Sequence, residues 1–253
     1  MWISRRRDEL AAAIMLLTRL PAWPVPGHDE GLTARAVWAY PVVGAVIGGI
    51  GGVTALIAQW AGLSLLVAVL LGLAATLLAT GCFHEDGLAD FCDGIGGGRT
   101  RERKLEIMRD SRIGTYGGAA LILSLGLRAA ALAAMAPPMV LAVWIAAGAL
   151  ARGGALLLLA VLPAAREDGL ARSAGAPPLP SLIAGWAATT LITLAALGAS
   201  GLILVIAALV ASLAVMLLSR RHLGGYTGDA LGAAAQAAEI ACLVVASSLW
   251  VTL

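Results

Sequence analysis

The sequence predicts an all-α fold, a polytopic membrane bundle of about seven transmembrane helices, on three observations. Of 253 residues 60% are hydrophobic and only 13% charged, with a mean hydropathy of +0.91; a soluble domain of this size carries roughly a quarter charged residues. Apolar stretches of the roughly 20 residues a helix needs to cross the hydrocarbon recur along the chain. The cationic residues fall in alternate connections between those stretches. The whole chain, 1–253, reads as one integral membrane domain.

The elements follow in order. The start, MWISRRRDELAAAIMLLTRLPAWP, is Arg-rich, but Asp8 and Glu9 interrupt it, Arg19 follows its short apolar run, and no small-x-small cleavage pattern is present. It is expected to stay cytoplasmic, as a short helix on the membrane stopped by Pro21, Pro24 and Pro26. Spans are expected at roughly 35–60, 63–83, 113–134, 138–162, 181–198, 201–219 and 231–252. In the first, Gly44, Gly48 and Gly52 share one face, the spacing that lets two helices approach closely. The segments 1–35, 84–112, 163–180 and 220–230 hold fifteen of the seventeen Lys and Arg residues, and the connections near 61–62, 135–137 and 199–200 hold none. By the positive-inside rule the N-terminus and the loops 84–112 and 220–230 face the cytoplasm and the C-terminus faces out. Cys82, Cys92 and Cys242 have no CxxC spacing and read as small buried side chains, with no disulfide framework or zinc site.

The chemistry concentrates in HEDGLADFCDG, residues 84–94. If the second span continues past the membrane surface as a helix, at 100° per residue, Asp90 lies 40° from Asp86 and Asp93 lies 20° to its other side. Three carboxylates then share one face, with Glu85 on the flank and His84 nearly opposite. Such a cluster repels itself unless a cation sits in it, and an oxygen-only donor set suits Mg²⁺. The metal ligands expected are therefore Asp86, Asp90 and Asp93.

GIGGGRTRERKLEIMRDSRIG follows, with a glycine hinge from Gly94 to Gly98. Contact with anionic lipid headgroups covers Arg101, Arg103 and Lys104, but Arg109, Asp110 and Arg112 mix signs just before a span. Magnesium carboxylates beside arginine forks make a site for phosphate-bearing anions. The loop RRHLGGYTGDALG adds Gly225, Tyr226, Thr227 and Asp229 on the same membrane side, as a second wall. Arg128, Arg152 and Glu239 lie within spans, where charges pair or line polar cavities; Arg152 and Glu239 fall at similar depths and are expected to pair.

HEDGLADFCDG, RERKLEIMRDSRIGTYG and GGYTGDALGAAAQAAE, with LTRLPAWPVP and YPVVGAVIGG, resemble the signatures of the cobalamin synthase (adenosylcobinamide-GDP ribazoletransferase) family nearly end to end. That family usually has an aliphatic residue where Glu85 stands. The resemblance implies a Mg²⁺-dependent phosphotransferase of the bacterial cytoplasmic (inner) membrane. It would move the cobinamide phosphate of adenosylcobinamide-GDP to α-ribazole or its 5′-phosphate, releasing GMP, the last joining step of the B12 nucleotide loop. Carried onto this chain, Asp86, Asp90, Asp93 and Asp110 are catalytic. His84, Gly94, Arg109, Ser111, Arg112, Gly225, Tyr226, Thr227 and Asp229 bind substrate. Asp110 or Asp93 is the candidate base. The partners are the two substrates and the lipid bilayer, with no nucleic acid; a homo-oligomer and association with other nucleotide-loop enzymes stay open. A looser similarity joins Asp90-x-x-Asp93-Gly94 to the CDP-alcohol phosphotransferases. A transporter is the rival class, but transporters place their sites near the midplane, with internal repeats. Here the acids and arginines crowd one surface and no repeat is evident.

Overall fold

A computed structural model describes residues 2–25, 31–166 and 176–250. The described residues form helices and no strands, apart from an isolated parallel bridge between Ala164 and Tyr226. The helices are α1 (Trp2–Leu17), α2 (Leu32–Arg35), α3 (Tyr40–Trp60), α4 (Leu65–Thr80), α5 (Phe83–Gly97), α6 (Arg101–Ile107), α7 (Thr115–Ala133), α8 (Pro137–Val161), α9 (Leu179–Leu197), α10 (Gly201–Leu223) and α11 (Gly228–Leu249).

Five helical segments are long and apolar enough to cross a membrane, and the bent pair α4–α5 makes a sixth. One of the five, Leu179–Leu223, runs 45 residues, about 67 Å at helical rise against some 30 Å of hydrocarbon. It breaks at Gly198, whose φ of 63° is left-handed, so α9 and α10 are separate legs. Counted by legs, the seven expected stretches all appear as helices. Large apolar side chains such as Ile57, Leu78, Ile122, Leu191 and Val210 face outward, as a lipid-facing surface requires.

The glycine stripe does what its spacing predicts. A Cβ on Gly44 would run into the carbonyl of Gly148, one on Gly48 into that of Trp144, and one on Gly52 into Leu141. Backbone therefore meets backbone along the α3–α8 seam. Gly51 and Gly72 close on the Trp144 ring, which anchors the main core with Leu132, Val143 and Leu150.

Two expectations need correcting. The second span does not run on past the surface: the chain turns through 87° between α4 and α5, with Gly81 (φ 63°) and Cys82 (φ 59°) both left-handed. Glycine adopts that conformation freely and cysteine rarely does, so the break was not legible. At 16 residues, α4 is about 24 Å long, and α5 packs across the bundle against α11 and α7. Secondly, α1 is a packed element rather than a surface helix. Its Ala13 and Leu17 join Val37, Tyr40 and Leu156 in a core. Its buried Glu9 accepts from Trp38 Nε1 at 2.8 Å and from Arg6 at 2.8 Å. Of the stopping prolines, Pro26 lies outside the described residues.

Candidate active site at one end of the bundle

Gly87 and Gly232 set the site. Their Cα atoms meet where α5 crosses α11: a Cβ on Gly87 would stand 3.2 Å from the Gly232 Cα and from the Asp229 carbonyl oxygen. That crossing brings the start of α5, with His84, Asp86 and Asp90, against the start of α11, with Thr227 and Asp229. Thr227 caps α11 by accepting from the Ala230 N–H at 3.1 Å, and its hydroxyl donates to Asp229 at 3.2 Å. Gly225 stands where a Cβ would strike the Pro163 carbonyl. This close approach lets Tyr226 N–H donate to Pro163 and Ala165 N–H donate to Tyr226, both at 2.8 Å. The pairing carries Arg166 to within 3.6 Å of Asp229.

Between these elements lies a cavity of about 390 Å³. His84, Asp86, Arg152, Arg166, Tyr226, Thr227 and Asp229 give it one character, and Leu17, Val37, Tyr40, Phe83, Leu159 and Leu231 the other. Asp90 is half-buried beside it and feels the charges of Asp86, Asp229, Asp93 and Arg166. A second basin of about 400 Å³, lined by Arg101, Glu102, Glu106, Arg109 and Arg166, shares Arg166 with the first.

Of the expected residues, Asp86, His84, Tyr226, Thr227 and Asp229 line the cavity and Asp90 adjoins it. His84, expected to point away from the acids, lies with them because the cavity wraps the start of α5. Asp93 goes elsewhere. Its carboxylate accepts from the N–H of Gly114 at 2.7 Å and of Gly117 at 2.8 Å, holding the start of α7. The angular arithmetic was sound, but seven residues of rise carry Asp93 about 10 Å along the axis from Asp86. Gly94 is a packing glycine, its Cα against Met108 and the Lys104 carbonyl. Gly225 permits the backbone pairing, and its carbonyl accepts from the Ser219 hydroxyl.

Asp110 and Arg112 face each other at the surface, 2.6 Å apart. The Arg112 hydrogen bonds hold the Asp110 carboxyl down at about 2. Ser111 is exposed between them, and Arg109 lines the outer basin. The basic stretch is more than a topology signal. Arg101 donates to Leu223 at 2.7 Å and to Ala165 at 2.6 Å, tying three loops together. Buried Lys104 donates to the carbonyls of Ile95 and Gly98 at the end of α5. Arg103 is exposed and paired with Glu106 at 2.7 Å.

Arg166 is the residue that sequence reasoning missed; one cation in a long loop carries no signal until its partner is known. The network under the cavity was half seen. Arg128 donates to Glu85 at 2.9 Å and meets Glu239 at 3.1 Å, Gln236 donates to Glu85 at 2.9 Å, and Arg152 lies 3.8 Å from Glu239. The expected Arg152–Glu239 pair is therefore present, and Glu85 has a structural partner in Arg128.

Among the described residues no three acidic, histidine or cysteine side chains stand close enough to enclose a metal ion by themselves. Magnesium does not require that: it keeps several waters and is bound through one or two carboxylates plus substrate phosphates. Asp86 and Asp90, oxygen donors of like charge beside the cavity, fit that demand.

Fold and cavity together define the class, a multi-pass helical membrane protein with a cavity of mixed charged and apolar lining at one end of the bundle. The chain belongs to the Cobalamin-5-phosphate synthase family, whose profile matches residues 9–247. A protein of Bradyrhizobium diazoefficiens named adenosylcobinamide-GDP ribazoletransferase is 49% identical over 248 residues, 95% of this chain and 93% of its own. Proteins of the same name from Mesorhizobium japonicum (44%, covering 95% and 93%) and Sinorhizobium medicae (41%, covering 93% and 94%) are similar over comparable lengths. No solved structure matches the chain significantly.

Proposed function

We propose that the protein joins adenosylcobinamide-GDP to α-ribazole or its 5′-phosphate and releases GMP. The observation that carries this reading is the cavity: the carboxylates with Arg166 suit a diphosphate and its metal ion, and an aromatic and aliphatic wall suits the flat base of ribazole. The acceptor hydroxyl oxygen attacks the cobinamide phosphorus, the bond from that phosphorus to the GMP oxygen breaks, and the hydroxyl proton leaves. Arg166 steadies the phosphates. Asp229, held by Thr227 and facing Arg166, takes the proton; Asp110 and Asp93, the earlier candidates for base, are committed to Arg112 and to α7. Asp86 and Asp90 would hold Mg²⁺ with the substrate phosphates, and the ion, when bound, supplies positive charge to the diphosphate.

The loops 84–112 and 220–230 belong on the cytoplasmic side of the bacterial inner membrane, with the C-terminus outside. What supports this is the alternation of cationic and uncharged connections, together with Arg101 binding the 163–166 and 223–227 loops at one end of the bundle. Neither a CDP-alcohol phosphotransferase nor a transporter is favoured by any observation. The test is incubation of purified, detergent-solubilised protein with adenosylcobinamide-GDP, α-ribazole and Mg²⁺; GMP and the joined corrinoid should appear in equal amounts, and absence of GMP refutes the reading.

A further inference from the structure

We propose that Arg152, with His84, holds a phosphate monoester of the acceptor at the deep end of the cavity, an inference that rests on the function just proposed. Arg152, Ala155 and Leu159 line the cavity from one face of α8, at i, i+3 and i+7. From Arg152 to Leu159 the helix rises about 10 Å, and Ala164 and Arg166 continue the lining beyond it. The cavity thus has an arginine at each end, Arg166 beside the carboxylates at the loops and Arg152 inside the bundle.

Arg152 is a buried cation without adequate company. It is 4% exposed, its Nε has no hydrogen-bond partner, and its Nη1 stands 3.8 Å from Glu239, beyond hydrogen-bond distance. Arg128 is nearer to that carboxylate, at 3.1 Å, and takes Glu85 as well. His84, 5% exposed, lines the same cavity, feels the Arg152 charge, and leaves its Nδ1 unpartnered. An unmade hydrogen bond on a buried cation is costly, and a planar fork next to an imidazole matches a phosphate. On its other side Arg152 borders a void of about 10 Å³, room for one water at most, so the anion comes from the cavity. It is not the donor diphosphate. Arg166, 3.6 Å from Asp229 at the loop end of the cavity, is the arginine that stands with the carboxylates assigned to the diphosphate and its metal ion.

The test compares two acceptors, α-ribazole 5′-phosphate and α-ribazole, by GMP release from the purified full chain, its Arg152→Gln and its Arg152→Lys. Arg152→Gln should raise the KM for the phosphorylated acceptor at least tenfold while the KM for free α-ribazole changes less than twofold. Arg152→Lys keeps a charge opposite Glu239 but loses the fork, and should show the same selectivity in reduced degree; it carries the test if Arg152→Gln does not accumulate in the membrane. Equal effects on both acceptors would reduce Arg152 to a structural partner of Glu239 and overturn the proposal. So would loss of co-purifying phospholipid with an unchanged ratio of the two KM values, which would assign the site to a lipid headgroup. A wild type that releases no GMP with either acceptor defeats the proposed function itself, and this subsite with it.

Discussion

Asp93→Asn separates a helix anchor from a metal ligand. Asp93 is 7% exposed and accepts two backbone N–H groups, at 2.7 and 2.8 Å, from the segment that begins α7. A hydrogen bond to a charged group contributes about 1.5–3 kcal/mol, and loss of a helix cap costs about 0.5–2 kcal/mol. Asparagine can accept one N–H through its carbonyl but presents its NH₂ to the other, setting donor against donor. One charge-assisted bond weakens and one is lost, so the variant should be less stable by about 2–4 kcal/mol. The assay is denaturant unfolding in detergent beside GMP release as a function of Mg²⁺. The expected result is a lower unfolding midpoint with the Mg²⁺ concentration for half-maximal activity unchanged in the protein that remains folded. Asp86→Asn should do the reverse, with stability close to wild type and activity lost or recovered only at high Mg²⁺. An Asp93→Asn protein of wild-type stability whose Mg²⁺ requirement has risen would refute the assignment and return Asp93 to the metal.

Arg112→Lys, which a phosphate-binding role would make damaging, should change GMP release less than twofold, because the Arg112 side chain is 87% exposed and engaged with Asp110. That pair has a defined pH window: the folded carboxyl lies at about 2, below the usual value near 3.9, so its contribution is present above that usual value and fades as pH falls toward 2. Unfolding midpoints should show no inflection from Asp110 between pH 5 and 9. Gly48→Ala would push a methyl group into the Trp144 carbonyl and should cost at least about 1–3 kcal/mol, read as a lower unfolding midpoint, whereas Gly126→Ala, with open space around it, should be neutral or stabilising. A cysteine at the exposed position of Arg103 should resist an impermeant maleimide in intact cells and react once the membrane is permeabilised; ready labelling in intact cells reverses the topology.

Legibility in this sequence divided along physical lines. Hydropathy and the placement of cations are sums over many residues, so the helical legs and the uncharged connections were readable. The Gly44-Gly48-Gly52 stripe was readable because backbone approach needs only absent side chains at a helical spacing. That Asp86 and Asp90 stand together at the start of one helix was readable, because both positions are set within α5. The contacts of Asp93 with the start of α7 were not, because a helical wheel gives angle and ignores both rise and what stands opposite. Arg166, Lys104 and Glu85 find their partners across gaps of 63, 9 and 43 residues, and no local pattern encodes such a meeting. The bend at Cys82 escaped for a different reason: it needs a left-handed cysteine, a conformation that residue type rarely adopts.

The four charges beneath the cavity also impose an order on how the chain can be made. A charged side chain near the bilayer centre costs about 2.5–3.5 kcal/mol on insertion scales. When Arg128 of α7 leaves the ribosome, Glu85 has already been synthesised and can neutralise it, so that helix enters lipid with its counter-charge in hand. Arg152 of α8 has no such predecessor. Its carboxylate, Glu239, lies 87 residues downstream in α11, the last helix described. Until α11 arrives, the nascent bundle carries one surplus cation, and arrival of the last helix is what closes the ledger. Chains cut short before Glu239 would therefore carry Arg152 in the bundle without the carboxylate it faces.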